Sequence, residues 1–239
     1  MPQSGPSKRP RTPSSKCAST PGAPQCIVLL AHGASGWSLR LDSLKSLLHD
    51  AAPSVSVVPL IYPYAADSKR RPPPKAESLV EYHFEKVKEI ASSHPNSFIV
   101  LAGHSLGSRV SVMVASLPFL PNQVRAVVCF SYPLVGINRS VRLEPLKACS
   151  IPLFLFQGNR DSFFPRSAAS LVPSPVRVVT IEGGDHSLCL TQKHLRASFN
   201  SSQDACDRAA ILPALTAVFQ ELQALVPSEA SKRTRPRTR

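Results

Sequence analysis

The sequence predicts an α/β domain built on a mostly parallel central sheet of about six to seven strands, flanked by helices. Three observations predict it. Short runs rich in Val, Ile, Leu and Phe recur along the chain; the runs are nearly continuous rather than alternating; and helix-periodic segments lie between several of them. A near-continuous apolar run suits a strand covered on both faces. Strands alternating with helices imply right-handed βαβ crossovers and hence parallel pairing.

The expected strands are Ile27–Ala31, Val55–Leu60, Phe98–Ala102, Val124–Cys129, Pro152–Phe156 and Val176–Ile181. After the second, Val80, Phe84, Val87 and Ala91 recur at helical spacing through Glu77–Ser92. Val110 to Ala115 follows Ser105 as a second helix, and Pro165–Leu171 forms a short third. The last helix is the most regular, with Leu212, Leu215, Val218, Phe219, Leu222 and Leu225 on one face from about Asp207. Only 20 residues (132–151) separate the fourth and fifth strands, which leaves no room for a large lid domain.

Composition bounds the rest. The chain has 239 residues, with 28 Lys and Arg against 15 Asp and Glu, a formal charge of +13. Taken whole, that charge suggests nucleic acid or an anionic surface as partner. Its location changes the expectation. Residues 1–25 carry Lys8, Arg9, Arg11 and Lys16 with no acid, and residues 227–239 carry five basic residues with Glu229. Residues 26–226 keep only +5. Six of the 24 prolines also fall in residues 1–25, which hold no aromatic residue and little to bury. The expected organisation is a basic, Pro- and Ser-rich disordered tail (1–25), one globular domain (26–226) and a second basic disordered tail (227–239). Nucleic acid is expected only through these tails, and the sequence leaves protein partners open. Ser7–Arg11 and Lys232–Arg237 have the make-up of nuclear-import or phosphate-binding patches.

No stretch approaches the roughly 18 uninterrupted apolar residues of a membrane span. The start lacks the apolar segment of a secretory signal, and its prolines spoil the amphipathic helix a transit peptide needs. The expected location is cytoplasmic or nuclear, with organelle import the lesser alternative. The six cysteines show no C-x-x-C pair and no zinc spacing, so reduced thiols and no metal site are expected, with Cys129, Cys149 and Cys189 buried.

In parallel sheets of this kind chemistry collects at the carboxyl ends of the strands. The third strand runs directly into Gly103-His104-Ser105-Leu106-Gly107, a G-x-S-x-G turn followed by helix-compatible residues. Gly103 and Gly107 are needed because side chains there would collide with the neighbouring strand and helix, and the turn holds Ser105 at its tip. A serine hydroxyl is a weak nucleophile and needs a base, itself oriented by a third group. The fifth strand leads through Gly158-Asn159-Arg160 to Asp161, and the sixth through Gly183-Gly184-Asp185 to His186. Asp185 is the rival acid, but adjacency to His186 places it poorly to receive that ring's Nδ1–H. Residues 131–143 contain no acid at all. Two backbone N–H groups must also face the developing oxyanion. Leu106, directly after the nucleophile, supplies one; His32-Gly33-Ala34-Ser35-Gly36 after the first strand supplies the other, from Ala34 or alternatively Ser35. His32 and His104 read as supports of these motifs.

His32-Gly33-Ala34, the run from Gly103 to Arg109, Gln157 to Asp161 and Gly183 to Ser187 together resemble the α/β-hydrolase superfamily. Within it they are most similar to the dienelactone-hydrolase-like branch, and there to the testis-expressed and NSL-complex-subunit hydrolase-like family. Tyr62-Pro63-Tyr64 with Arg70 to Pro73, and Ser131 to Leu134 continuing through Arg142 to Leu146, fit the same likeness. The resemblance runs from about residue 26 to 226 and departs at Asn159, at Phe163 or Phe164, and in a long 187–206 segment. It implies an α/β-hydrolase fold with a minimal lid and a Ser105–Asp161–His186 triad that needs no cofactor. The resemblance names no substrate; the short 132–151 connection suits a small or flexible one, with an ester, thioester or related acyl bond. Arg70, Arg71 and Arg142 are expected to rim the cleft and favour an anionic group. The alternative is a non-catalytic hydrolase-fold interaction module in a nuclear assembly.

Overall fold

The chain, seen in a computed structural model that describes residues 26–66, 72–200 and 202–224, alternates strands and helices throughout. It opens with β1 (Cys26–Ala31), α1 (Leu39–Ala51), β2 (Ser56–Leu60) and a single turn, α2 (Pro63–Ala66). A 3-10 turn (Ala76–Leu79) leads into α3 (Val80–Ser93), followed by β3 (Phe98–His104), α4 (Leu106–Ala115) and β4 (Val124–Phe130). Next come α5 (Glu144–Ala148), β5 (Leu153–Gly158), α6 (Arg166–Ala169) and β6 (Arg177–Ile181). The described chain closes with α7 (Gln192–Ser198), α8 (Gln203–Ala210) and α9 (Leu212–Ala224). The expected tails, and Arg70 and Arg71, lie outside the described residues.

The six strands form one parallel sheet in the order β2-β1-β3-β4-β5-β6. Each predicted run becomes a strand, and helices flank the sheet as expected. Alternate residues of one strand feed two cores. Val28 and Leu30 of β1, with Val100 and Ala102 of β3, join α1, α8 and α9 on one face. Leu29 and Ala31, with Ile99 and Leu101, join α3 and α4 on the other. Burial on both faces is why these strands read as unbroken apolar runs. The edge strand β6 departs from that expectation: Arg177, Val178 and Thr180 are exposed, and among the described residues no strand pairs beyond it.

The predicted last helix is two. Pro213 has no N–H to give the carbonyl four residues back, and the helix breaks at Ile211 between α8 and α9. Four helices escaped the sequence reading: α1, the single turn α2, the five-residue α5 and α7. In α1 the buried set is Leu41, Leu44, Leu47, Leu48 and Ala51, a helical spacing diluted by the charged residues between them. In α7 only Leu195 is buried, so this seven-residue helix carries little periodic signal. Cys129 is buried as expected, but Cys149 and Cys189 are only half-buried. Among the described residues no helix is long and apolar enough to cross a membrane.

Chain order reverses across β1: β2 lies on one side of it and β3 on the other. The loops leaving β1 and β3 therefore diverge and open a crevice at their carboxyl ends, the usual ligand position of such sheets. No domain is inserted between β4 and β5, which leaves that crevice open.

Candidate active site

Ser105 sits between β3 and α4 with φ 53° and ψ −113°, a strained conformation for a residue with a side chain. It persists because the turn is fixed on every side. The Ser105 N–H donates to the Phe130 carbonyl at 2.9 Å, and its own carbonyl accepts from the Arg109 N–H at 3.1 Å and the Ser108 hydroxyl at 2.6 Å. Both glycines of the turn are sterically required. A Cβ on Gly103 would lie 2.4 Å from the Gly107 carbonyl carbon, and one on Gly107 would lie 2.5 Å from the Ala31 carbonyl oxygen.

The loops after β5 and β6 deliver the other two residues. Asn159 ties them together, its Oδ1 accepting from the Gly183 N–H at 2.8 Å, while the Arg160 N–H donates to the Gly184 carbonyl at 2.9 Å. Asp161 is 2% exposed; its Oδ1 accepts from the Phe163 N–H at 2.8 Å and its Oδ2 lies 2.8 Å from His186 Nδ1. His186 Nε2 is 2.8 Å from Ser105 Oγ. The three predicted residues thus form one continuous hydrogen-bonded chain. Asp185 is outside it: its Oδ1 accepts from the N–H groups of Ser187 and Cys189, closing its own turn.

Leu106 opens α4, so no preceding helical carbonyl is there to receive its N–H. Ala34 lies in the turn after β1, and both residues line the same cleft as Ser105 and His186. That turn is held from below. The Gly33 carbonyl accepts from the Gly36 N–H, from the Tyr64 hydroxyl at 3.1 Å and from His32 Nδ1 at 2.6 Å. His32 Nε2 accepts the Tyr62 N–H at 3.0 Å, so its proton resides on Nδ1 and the ring is neutral. His104 Nε2 donates to the His186 carbonyl at 3.1 Å. Both histidines support backbone, as their motifs suggest.

Several contributors carried no sequence signal strong enough to single them out. The Phe163 ring packs 4.7 Å from that of His186. Arg40 Nε donates to the Ser187 carbonyl at 2.7 Å, and its guanidinium grips both carboxylate oxygens of the buried Asp207. Gln203 links Asp207 to the Leu190 N–H. The long 187–206 segment therefore anchors the His186 loop to α8 and α1. Arg109, one helical turn past Ser105, pairs with Glu77 at the cleft wall. Arg142 also lines the cleft, as expected. The cleft encloses about 850 Å³. Among the described residues no group of three His, Cys, Asp or Glu side chains is placed to hold a metal ion.

Burial holds two histidines well below their ordinary range, His83 at about 3 and His104 at about 4. His83 Nδ1 meets the Tyr62 hydroxyl at 3.0 Å beneath the β1 turn. Both are neutral in the fold and take up a proton near pH 6.5 once unfolded. Stability is therefore complete above pH 6.5 and falls as the pH drops toward 4, by about 1.4 kcal/mol per unit for each histidine. The expected result is a thermal midpoint that declines through this window, with a shallower decline in His83→Gln. An equal slope in that variant would show that His83 is protonated without unfolding.

Residues 24–212 match the family model described as an alpha/beta hydrolase domain. Among solved structures, the chain is similar to Est1E from Butyrivibrio proteoclasticus with ferulic acid bound: 14% identity, TM-score 0.62, covering 85% of this chain and 92% of that one. It is also similar to a serine hydrolase without a lid from Xanthomonas campestris, at 14% identity, TM-score 0.57, and 86% and 85% coverage. An esterase domain from Rhodothermus marinus aligns at 17% identity and TM-score 0.52, covering 80% of this chain and 86% of that one. At these identities the likeness is one of fold.

Proposed function

Because the chain belongs to the alpha/beta hydrolase domain family, we propose that it is a serine hydrolase cleaving an ester, thioester or related acyl bond in a small substrate. The observation that carries this reading is the unbroken hydrogen-bonded line from Ser105 Oγ through His186 to the buried Asp161. On the same motifs we place it in the dienelactone-hydrolase-like branch, nearest the testis-expressed and NSL-complex-subunit relatives.

Asp161 accepts a hydrogen bond from the Nδ1–H of His186, which leaves Nε2 with its lone pair toward Ser105. Oγ attacks the acyl carbon and its proton passes to Nε2. The N–H groups of Leu106 and Ala34 receive the oxyanion; losing one such donor costs about 10²–10³ in rate. His186 then gives its proton to the departing alcohol or thiol. Water, deprotonated by the same nitrogen, attacks the acyl-enzyme, releases the acid and restores the Ser105 hydroxyl. The open crevice and the absence of an inserted domain between β4 and β5 support short or flexible acyl groups over long buried chains.

The test is turnover of short p-nitrophenyl esters. Wild-type protein is expected to release p-nitrophenol, and Ser105→Ala to fall to the uncatalysed rate. Equal release by both proteins would contradict the assignment.

A further inference from the structure

The cleft beside Ser105 carries a charge pattern that acyl transfer alone does not use. Arg40, Lys75, Glu77, Arg109 and Arg142 all line it. Arg40 is committed to Asp207 and Arg109 to Glu77. Arg142 is half-buried and, among the described residues, meets no carboxylate in an ion pair; its Nη1 donates only to the Pro133 carbonyl at 3.2 Å. We propose that Arg142 is the anchor of a carboxylate-binding subsite, so that the favoured substrates carry a carboxylate in addition to the scissile acyl bond.

Position supports the subsite. The Arg142 N–H donates to the Leu134 carbonyl at 2.8 Å, and its carbonyl accepts from the hydroxyl of the buried Tyr132 at 3.0 Å. These bonds pin Arg142 to the segment leaving β4. The end of β4 lies against the end of β3, where Phe130 holds the Ser105 N–H. Arg109 stands one turn past Ser105 on α4. The two guanidiniums thus ride on the two elements that flank the nucleophile.

Electrostatics point the same way. Burial, and then the neighbouring Arg109 charge, pull the Arg142 guanidinium below its ordinary pKa. Glu77 is held below the usual carboxylate range by its own backbone N–H first, and then by Arg109 and Arg142. Among the described lining residues one carboxylate, Glu77, answers Arg109 and Arg142, and Lys75 adds a further positive charge, so this partly desolvated wall carries an excess of positive charge. A carboxylate offsets that excess in part, and the planar fork of Arg donates to it bidentately. A cleft of about 850 Å³ has room for the few carbons between the two ends of such a substrate.

This inference rests on Ser105 as the nucleophile, and its test separates the two claims. Hydrolysis of mono-p-nitrophenyl glutarate is compared with that of p-nitrophenyl valerate, an ester of equal acyl length without the charge. The expected result is kcat/KM at least about tenfold higher for the glutarate ester, with that ratio falling about tenfold in Arg142→Gln and less in Arg142→Lys. Binding of monomethyl glutarate and methyl valerate to Ser105→Ala protein, read by calorimetry, reports the subsite without turnover. The glutarate ester is expected to bind more tightly, and Arg142→Gln in that background to remove the difference. Turnover of both esters at equal efficiency, or a preference that survives Arg142→Gln in a protein of wild-type melting behaviour, overturns the subsite and leaves the nucleophile standing. Preferential binding of monomethyl glutarate without turnover of either ester removes the nucleophile and supports the subsite.

Discussion

Asp161→Asn is expected to lower kcat by about 10⁴-fold, the scale on which an orienting acid acts in a Ser-His-Asp arrangement. The local geometry makes the effect specific. Asp161 uses one oxygen to accept the Phe163 N–H and the other to face His186 Nδ1. In the amide, the Phe163 N–H retains the carbonyl oxygen, so the NH₂ group must turn toward the imidazole. Nδ1 then accepts, the ring proton moves to Nε2, and the nitrogen facing Ser105 no longer has a lone pair. The side chain keeps its size and stays buried, so the thermal midpoint is expected to move little by comparison. Single-turnover and steady-state rates at several pH values check this. A loss of tenfold or less would show that Asp161 does not set the tautomer.

Gly107→Ala is expected to damage fold and rate together. Its Cβ would meet the carbonyl oxygens of Ala31 and His32 at 2.5 and 2.6 Å, and both are backbone atoms with nowhere to swing. Relief requires α4 to lift from β1, which moves the Leu106 N–H and the turn bearing Ala34 apart. Overpacking of this kind costs about 3 kcal/mol, or roughly 6–12 °C in melting temperature for a domain of this size. Displacing one oxyanion donor adds a loss of about 10²–10³ in kcat. Gly36→Ala is the useful contrast in stability. Gly36 has φ 83°, but a Cβ there meets only the Ala65 side chain at an ordinary 3.5 Å, so its cost is backbone strain without collision. A wild-type midpoint in Gly107→Ala would mean the elbow is looser than its geometry indicates.

The parts of the site that the sequence announced are those built from local rules. A strand that ends in a glycine turn declares itself within ten residues, and Ser105, Asp161 and His186 each sit on such a turn. Their order then needed only the sheet to bring them together. What stayed hidden depends on partners far apart in the chain. Arg40 reaches Asp207 across 167 positions, and neither residue is unusual in its own neighbourhood. His83 looks like a polar residue of an amphipathic helix until Tyr62 from the loop after β2 is seen to receive it. The exposed face of β6 was equally invisible, because a Val-rich run looks the same at the edge of a sheet as at its centre. Periodicity proposed one C-terminal helix; a single missing N–H at Pro213 made two.

The proposed role of Ser105, a nucleophile primed by His186, is open to direct measurement. Reaction with an uncharged fluorophosphonate, followed by intact-mass and peptide mass spectrometry, measures it directly. One adduct per chain is expected, on Ser105, absent from Ser105→Ala and severely reduced in His186→Ala. No adduct in folded protein, or an adduct that persists unchanged in Ser105→Ala, would contradict it.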